Sequence, residues 1–251
     1  MRNLLLYSCS VLISVRKLSR FWAVHPSGVL HIGAHHAEEA MDYENAGWKP
    51  VLWIEAQEEL AALLEQSLDG ASNQVVCAVV SDVSGQEVEF YVSSNGQSSS
   101  ILKFGTHSTN YPNTEIVATK IMKTVTIDAI VSAKRPEFNF INLDIQGAEL
   151  KALNGAGDTL STVEWVYTEV NYEEVYQGGA LVKNLDAYLA NFGFQRQATR
   201  WCLGLGWGDA LYVRTGTKFS LQQRMHQYFD SLIWYINQVF RFPVRRIKRK
   251  I

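Results

Sequence analysis

Two periods of apolar and polar residues run through this chain, and they divide it. Val29 to Ile32, Val51 to Ile54 and Val75 to Val80 are unbroken apolar runs, the pattern of parallel strands buried on both faces. Helical patterns separate them. One covers Ala37 to Ala46 and stops at Gly47; the next runs through Leu60, Leu63, Leu64 and Leu68 and closes at Gly70. After Ser84 and Gly85 the rhythm changes. Val88, Phe90 and Val92 alternate with Glu87, Glu89 and Tyr91, which predicts a strand with one apolar face. Ser94 to Ser100 reads as a polar loop. Thr106 to Thr114, with His107, Tyr111 and Pro112, reads as an irregular excursion. An insertion of this kind over the strand ends suits a substrate lid.

The first rhythm then resumes. Phe138 to Leu143 ends in Asp144, and Gly147 and Ala148 open a helix that Gly155 helps to end. Val163 to Val170 is a strand carrying Glu169, and a helix over about Lys183 to Phe192 follows. Phe194 to Arg200 and Ala210 to Val213 are joined by a short glycine-rich link, which predicts an antiparallel hairpin. The whole predicts an α/β fold, a mainly parallel sheet flanked by helices. Leu221, Met225, Phe229, Leu232, Ile236 and Val239 recur at helical steps, so Phe219 to Phe240 is an amphipathic helix that Pro243 ends. Its apolar stripe is expected to pack on the domain. The expected organisation is a basic amphipathic extension over 1–27, a catalytic domain over 28–214, and a C-terminal helix and basic tail over 215–251.

Composition changes this picture in three places. At 251 residues the chain fits one large domain with appendages. Its net charge of −2 hides an uneven spread, with no acid before Glu38 and none after Asp230. The basic tail suits peripheral contact with an anionic membrane, while the body lacks the basic stripe of a nucleic-acid binder. Cys9, Cys77 and Cys202 are odd in number and widely spaced, which predicts reduced thiols and a cytoplasmic protein. Leu4 to Val15 is too short to span a bilayer and lacks a cleavage site, so it reads as an amphipathic helix.

The chemistry gathers at three strand ends. Gly33 and Ala34 form a turn where a ligand can approach the backbone. Glu55, about 20 residues on, can accept both hydroxyls of a ribose. Asp82 can accept from an adenine amino group. His35 and Ala37 stand where a dinucleotide fingerprint needs glycine, and Glu38 and Glu39 would repel a pyrophosphate. A nucleoside with a positive centre, such as S-adenosylmethionine, suits the turn better than NAD. The histidines of this stretch, His25, His31, His35 and His36, are metal-ligand types without a recognised spacing, and no metal is expected.

The motifs HIGAHHAEE (31–39), LWIEA (52–56), VVSDVSGQEVEFYVSSNGQSSS (79–100), INLDIQGAELKALNGA (141–156), TEVNYEEVYQGG (168–179) and GWGDALYVR (206–214) resemble those of FkbM-type S-adenosylmethionine-dependent methyltransferases. The resemblance implies a class I methyltransferase fold with seven strands, the last antiparallel, and O-methylation of a sugar or another hydroxyl acceptor. The family commonly carries Asp at the position of His31, Asn and Gly at those of His35 and Ala37, and Glu at that of Gln146. The candidate cofactor-binding residues are His31, Gly33, Ala34, His35, Glu55, Ala56, Asp82 and Asp144. The candidate catalytic residues are Asp144, as general base or substrate clamp, and Glu169. The rival readings are a non-catalytic binding module of the same fold and an NAD-dependent oxidoreductase.

Overall fold

The computed structural model describes residues 12–132 and 138–248. The expected helix over Leu4 to Val15 lies almost wholly outside them. The first described helix, α1 (Val15–Trp22), leads to β1 (Val29–Ile32), α2 (Ala40–Ala46), β2 (Val51–Glu55), α3 (Glu58–Ser67) and β3 (Asn73–Cys77). Then come β4 (Val79–Val80), β5 (Glu87–Ser93), α4 (His107–Asn110), β6 (Ile116–Val125) and α5 (Ile127–Ser132). The remainder is β7 (Phe140–Leu143), α6 (Glu149–Asn154), α7 (Gly157–Thr162), β8 (Trp165–Asn171), α8 (Val182–Asn191), β9 (Phe194–Cys202), β10 (Trp207–Arg214) and α9 (Leu221–Lys248).

Seven strands form one sheet in the order β3-β2-β1-β7-β8-β10-β9. Neighbours from β3 to β8 are parallel, and β10 runs antiparallel to both β8 and β9. This is the mainly parallel α/β sheet that the alternation predicts, with its last strand reversed. The order turns back at β1, and Ile32 pairs with Ile54 on one side and Leu143 on the other. A crevice at the carboxyl ends of such strands is where an open α/β sheet takes ligands.

Both faces of the sheet are covered, which explains the unbroken apolar runs. Leu30, Ile32, Leu52, Ile54, Ile141 and Leu143 face one layer, built on α5 to α8. Val29, Val51, Trp53 and Phe140 face the other, with Leu18 and Trp22 of α1 and Tyr43 of α2. Side chains alternate across a strand, so each run feeds two cores.

Four expectations are corrected. The run from Val75 to Val80 is not one strand. It breaks at Ala78, and Val79 and Val80 pair instead with β6 in a separate three-stranded sheet, β4-β6-β5. That strand β6 was not expected, because six of its first residues are exposed and show no two-residue alternation. The tail of α9 does not stop before Pro243 but runs on to Lys248; a proline removes one backbone donor and kinks a helix more readily than it forbids one. Cys202 is disulfide-bonded, so the cysteine argument for a reducing compartment fails at that residue. Among the described residues no helix is long and apolar enough to cross a membrane.

The end of α1 shows how locally the backbone is fixed. Ala23 takes a left-handed conformation, φ 53°, and its N–H bonds the carbonyl of Leu18. Glycine is the residue that adopts this conformation without steric cost. Ala23→Gly is expected to stabilise the protein by about 0.5–1 kcal/mol, measured by urea unfolding; a loss of stability would contradict the role given to this turn.

Candidate active site

The site begins with a contact that admits no side chain. Gly33 follows β1 at φ +87°, and a Cβ placed there would lie 1.8 Å from the Asp144 carbonyl oxygen. Its N–H and that of Ala34 both bond the carbonyl of Ile54, and the Asp144 N–H bonds that of Ile32. The ends of β1, β2 and β7 are thereby drawn together. Glycine is required here by the chain itself.

Around this junction lies a cleft that opens to solvent. Gly33, His35, Glu55, Ala56, Asp144 and Gln146 line it. Ile54, Ala78, Val80, Phe90 and Ile101 supply an apolar side. Glu55 is buried, 5% exposed. Its two carboxylate oxygens accept the backbone N–H groups of His35 and Gln57, each at 2.8 Å. These bonds fix the carboxylate in the wall, and each oxygen keeps a lone pair for a further donor.

The turn after Gly33 departs from ordinary backbone. His35 and Ala37 have φ of 46° and 53°, left-handed values that favour Gly or Asn. Those are the residues the family resemblance expects at the two positions. His35 stays there through its N–H on Glu55 and its Nδ1 against Glu38 Oε1 at 2.8 Å. The Glu38 bond is the main cause that raises the His35 pKa.

A second cluster sits behind Asp144. Gln146, also left-handed at φ 59°, points its amide nitrogen at Asp144 Oδ1 (2.5 Å) and at Glu169 Oε2 (3.2 Å). Its amide oxygen accepts from the Tyr176 hydroxyl at 2.5 Å. Glu169 also accepts from Asn171 at 3.2 Å. Burial, then the charges of Asp144, Glu149 and Asp209, push the Glu169 pKa well up. Asp144 keeps solvent contact through the cleft. Crowding by surrounding protein, with the charge of Glu38, raises its pKa, and the solvated side tempers that push. The Glu149 carboxylate, within the LDIQGAE motif, caps the motif's own turn by accepting the N–H groups of Ile145 and Gly147, both at 3.1 Å. Gly147 is needed because a Cβ there would meet the Tyr176 Cβ at 2.8 Å and its ring at 3.0 Å.

The lid segment closes over this cluster. Gly105 and His107 donate their N–H groups to the Val175 carbonyl, and Gln177 donates to that of Lys103. Phe104 stacks on His107, which also meets Tyr176. The 94–114 insertion and the Tyr172 to Gly179 loop therefore meet beside Gln146.

Not every candidate converges. His31 lies on the opposite face of the sheet, 3% exposed. There the Tyr43 hydroxyl and the Asn142 amide approach its Nδ1 at 3.2 and 3.4 Å. Burial lowers its pKa to about 3, so it is neutral, and its 3.9 Å approach to Glu39 is no ion pair. Ala34 is buried in that same core. Asp82 is not among the cleft-lining residues; it accepts from Ser81 beyond the break at Ala78, which steers the chain away from the third strand's expected end. Glu169 stands behind Gln146 and not in the cleft wall. Gln57, Phe90, Gln146 and Tyr176 were not among the candidates. Only Gln146 carried a signal, as a departure from the family's usual Glu. Among the described residues no three His, Cys, Asp or Glu side chains converge to hold a metal.

The donor set and shape fit S-adenosylmethionine. A fixed carboxylate suits paired ribose hydroxyls, the apolar side suits a purine ring, and Asp144 suits a cationic centre. Residues 31–196 match the family model described as the methyltransferase FkbM domain. The chain has no match among curated proteins. Among solved structures it is similar to the magnesium protoporphyrin IX methyltransferase of Synechocystis PCC 6803 with bound S-adenosylmethionine, at 10% identity over 74% of this chain and 69% of that one, TM-score 0.41. It is also similar to a ribosomal protein L11 methylase from Lactobacillus delbrueckii subsp. bulgaricus, at 12% identity over 80% and 76%, TM-score 0.42. A protein of the NADB-Rossmann superfamily from Streptococcus agalactiae gives 12% identity over 95% and 84%, TM-score 0.47.

The buried acids predict a pH dependence. Burial and, less strongly, Asp144 push the Glu149 pKa up from 4.5 to about 7. The folded protein then holds this proton more tightly than the unfolded chain. The stability it contributes is full below about pH 4.5 and is lost as pH rises through about 7. Glu149→Gln keeps the capping oxygen and removes the titration. Urea unfolding should find the variant similar to the parent near pH 4.5 and more stable by about 1–3 kcal/mol at pH 8; a less stable variant at pH 8 would contradict the assignment.

Proposed function

The chain belongs to the FkbM-domain family of methyltransferases, and on that premise we propose that it methylates a hydroxyl of a polyhydroxylated acceptor, a sugar or glycoconjugate. It is an S-adenosylmethionine-dependent methyltransferase. The donor supplies an electrophilic methyl group on a sulfonium, so the protein's work is alignment of two substrates and management of one proton.

One observation carries the reading: a solvent-reaching carboxylate, Asp144, in the cleft wall with its Oδ1 held by the Gln146 amide. A sugar hydroxyl is a poor nucleophile until its proton leaves, and a base with a raised pKa matches that task at neutral pH. Gln146 orients this base, and Tyr176 orients Gln146. Glu169, pushed well up by burial, holds its proton and serves as a neutral partner of the amide. The polar side chains of Gln97, Ser99 and Ser100 in the cleft wall suit a hydroxyl-bearing acceptor. Glu55 suits the ribose of the donor.

Calorimetry is expected to give micromolar binding of S-adenosylmethionine and none of NAD. Glu55→Ala should weaken the former by about 1–3 kcal/mol, roughly 5- to 150-fold in Kd; an unchanged Kd removes Glu55 from the site. With labelled donor and a panel of glycans, transfer to a hydroxyl is expected. Asp144→Asn should cut its turnover at saturating donor about 10²-fold. Label arriving on nitrogen or carbon, or full turnover in the variant, would overturn the proposal.

A further inference from the structure

Helix α9 is built inside out. Its inward positions are polar: Gln223, His226, Gln227, Asp230 and Gln238 are partly or wholly buried, with Trp234 among them. Gln227 donates to the Phe21 carbonyl of α1 at 2.7 Å, and the His226 ring lies against Phe21. Asp230 pairs with Lys17 at 2.6 Å and with the buried Arg200, whose guanidinium lies over Trp234. The apolar stripe faces outward. Leu221 is 77% exposed, Tyr228 66% and Tyr235 61%, with Met225, Phe229, Leu232, Ile233 and Ile236 on the same side. The sequence expectation that this stripe packs on the domain is reversed.

A water-facing stripe of this size is costly unless something covers it. Charge selects among occupants. From Thr215 onward the sequence has eight lysines and arginines and one acid, Asp230, which is already paired twice. A second copy of the chain would bring like charges together, whereas an anionic bilayer neutralises them. Tyr228 and Tyr235 are amphipathic rings of the type that settle at a lipid–water boundary. No described helix is able to cross a membrane, so the helix would lie in the interface plane.

We propose that the outward face of α9 docks the enzyme on an anionic lipid surface, with the basic tail adding electrostatic attraction. The polar inner face holds the helix to α1 and Arg200, leaving the apolar side for lipid. The enzyme then works on acceptors held at or near a membrane.

Vesicle flotation of the full chain tests this. Co-flotation is expected with phosphatidylcholine vesicles that contain phosphatidylglycerol and not with phosphatidylcholine alone, and high salt should weaken it. The double substitution Phe229→Glu and Ile236→Glu should reduce flotation at least tenfold, and so should Arg245→Glu with Arg246→Glu. Donor affinity should stay unchanged in all of them, which shows that they fold. A chain that ignores anionic vesicles overturns the proposal, as does equal flotation of the variants. So does a dimer in light scattering that Phe229→Glu and Ile236→Glu dissociate, because the face then belongs to a second copy.

Discussion

Everything at the active cleft depends on the contact between the Gly33 turn and the carbonyl of Asp144. No Cβ fits between them, so the first and fourth sheet strands meet with their ends in register. That contact leaves the Asp144 side chain at the cleft and sets the Glu55 wall opposite. The backbone beyond Gly33 is then forced through left-handed values at His35 and Ala37. This is strain of the kind that folded structures hold at functional sites when neighbours over-determine it. Here the neighbours are the Glu55 carboxylate and the core around Ala37.

The second constraint is electrostatic. Asp144, Glu149, Glu169 and Asp209 have raised pKa values. The groups that hydrogen-bond them are neutral: backbone amides, Gln146, Asn171 and Tyr167. A fifth acid at position 146 would add repulsion; the glutamine there replaces it with a two-way connector. One end of its amide faces the acids and the other takes the Tyr176 hydroxyl, which fixes the orientation. The cluster thereby couples the catalytic strand ends to the loop that receives the lid.

Most strand positions were legible because both sheet faces are covered, and a strand buried on both sides announces itself as an apolar run; their order in the sheet was not. Glu55 and Asp144 were legible for a related reason, since an acid that ends such a run has few places to go except the crevice. The same burial hid His31. With all four residues of its strand buried, the pattern cannot tell which face a side chain takes. Asp82 lies off the cleft lining because the chain changes sheet at Ala78, and Val75 to Val80 looks continuous, with nothing local to mark that change. In α9 the spacing correctly gave a stripe, but amphipathicity alone does not say which side meets the body. That was decided by Arg200 and Lys17, far away in sequence.

The central claim is that the cleft bounded by Gly33, Glu55 and Asp144 holds the methyl donor. A crystal structure of the chain with S-adenosylhomocysteine tests it most directly. The ribose hydroxyls should lie within hydrogen-bond distance of the Glu55 carboxylate, with the purine against the Phe90 side and the sulfur toward Asp144. Product bound elsewhere on the chain, or in this cleft with its ribose turned away from Glu55, would contradict the account.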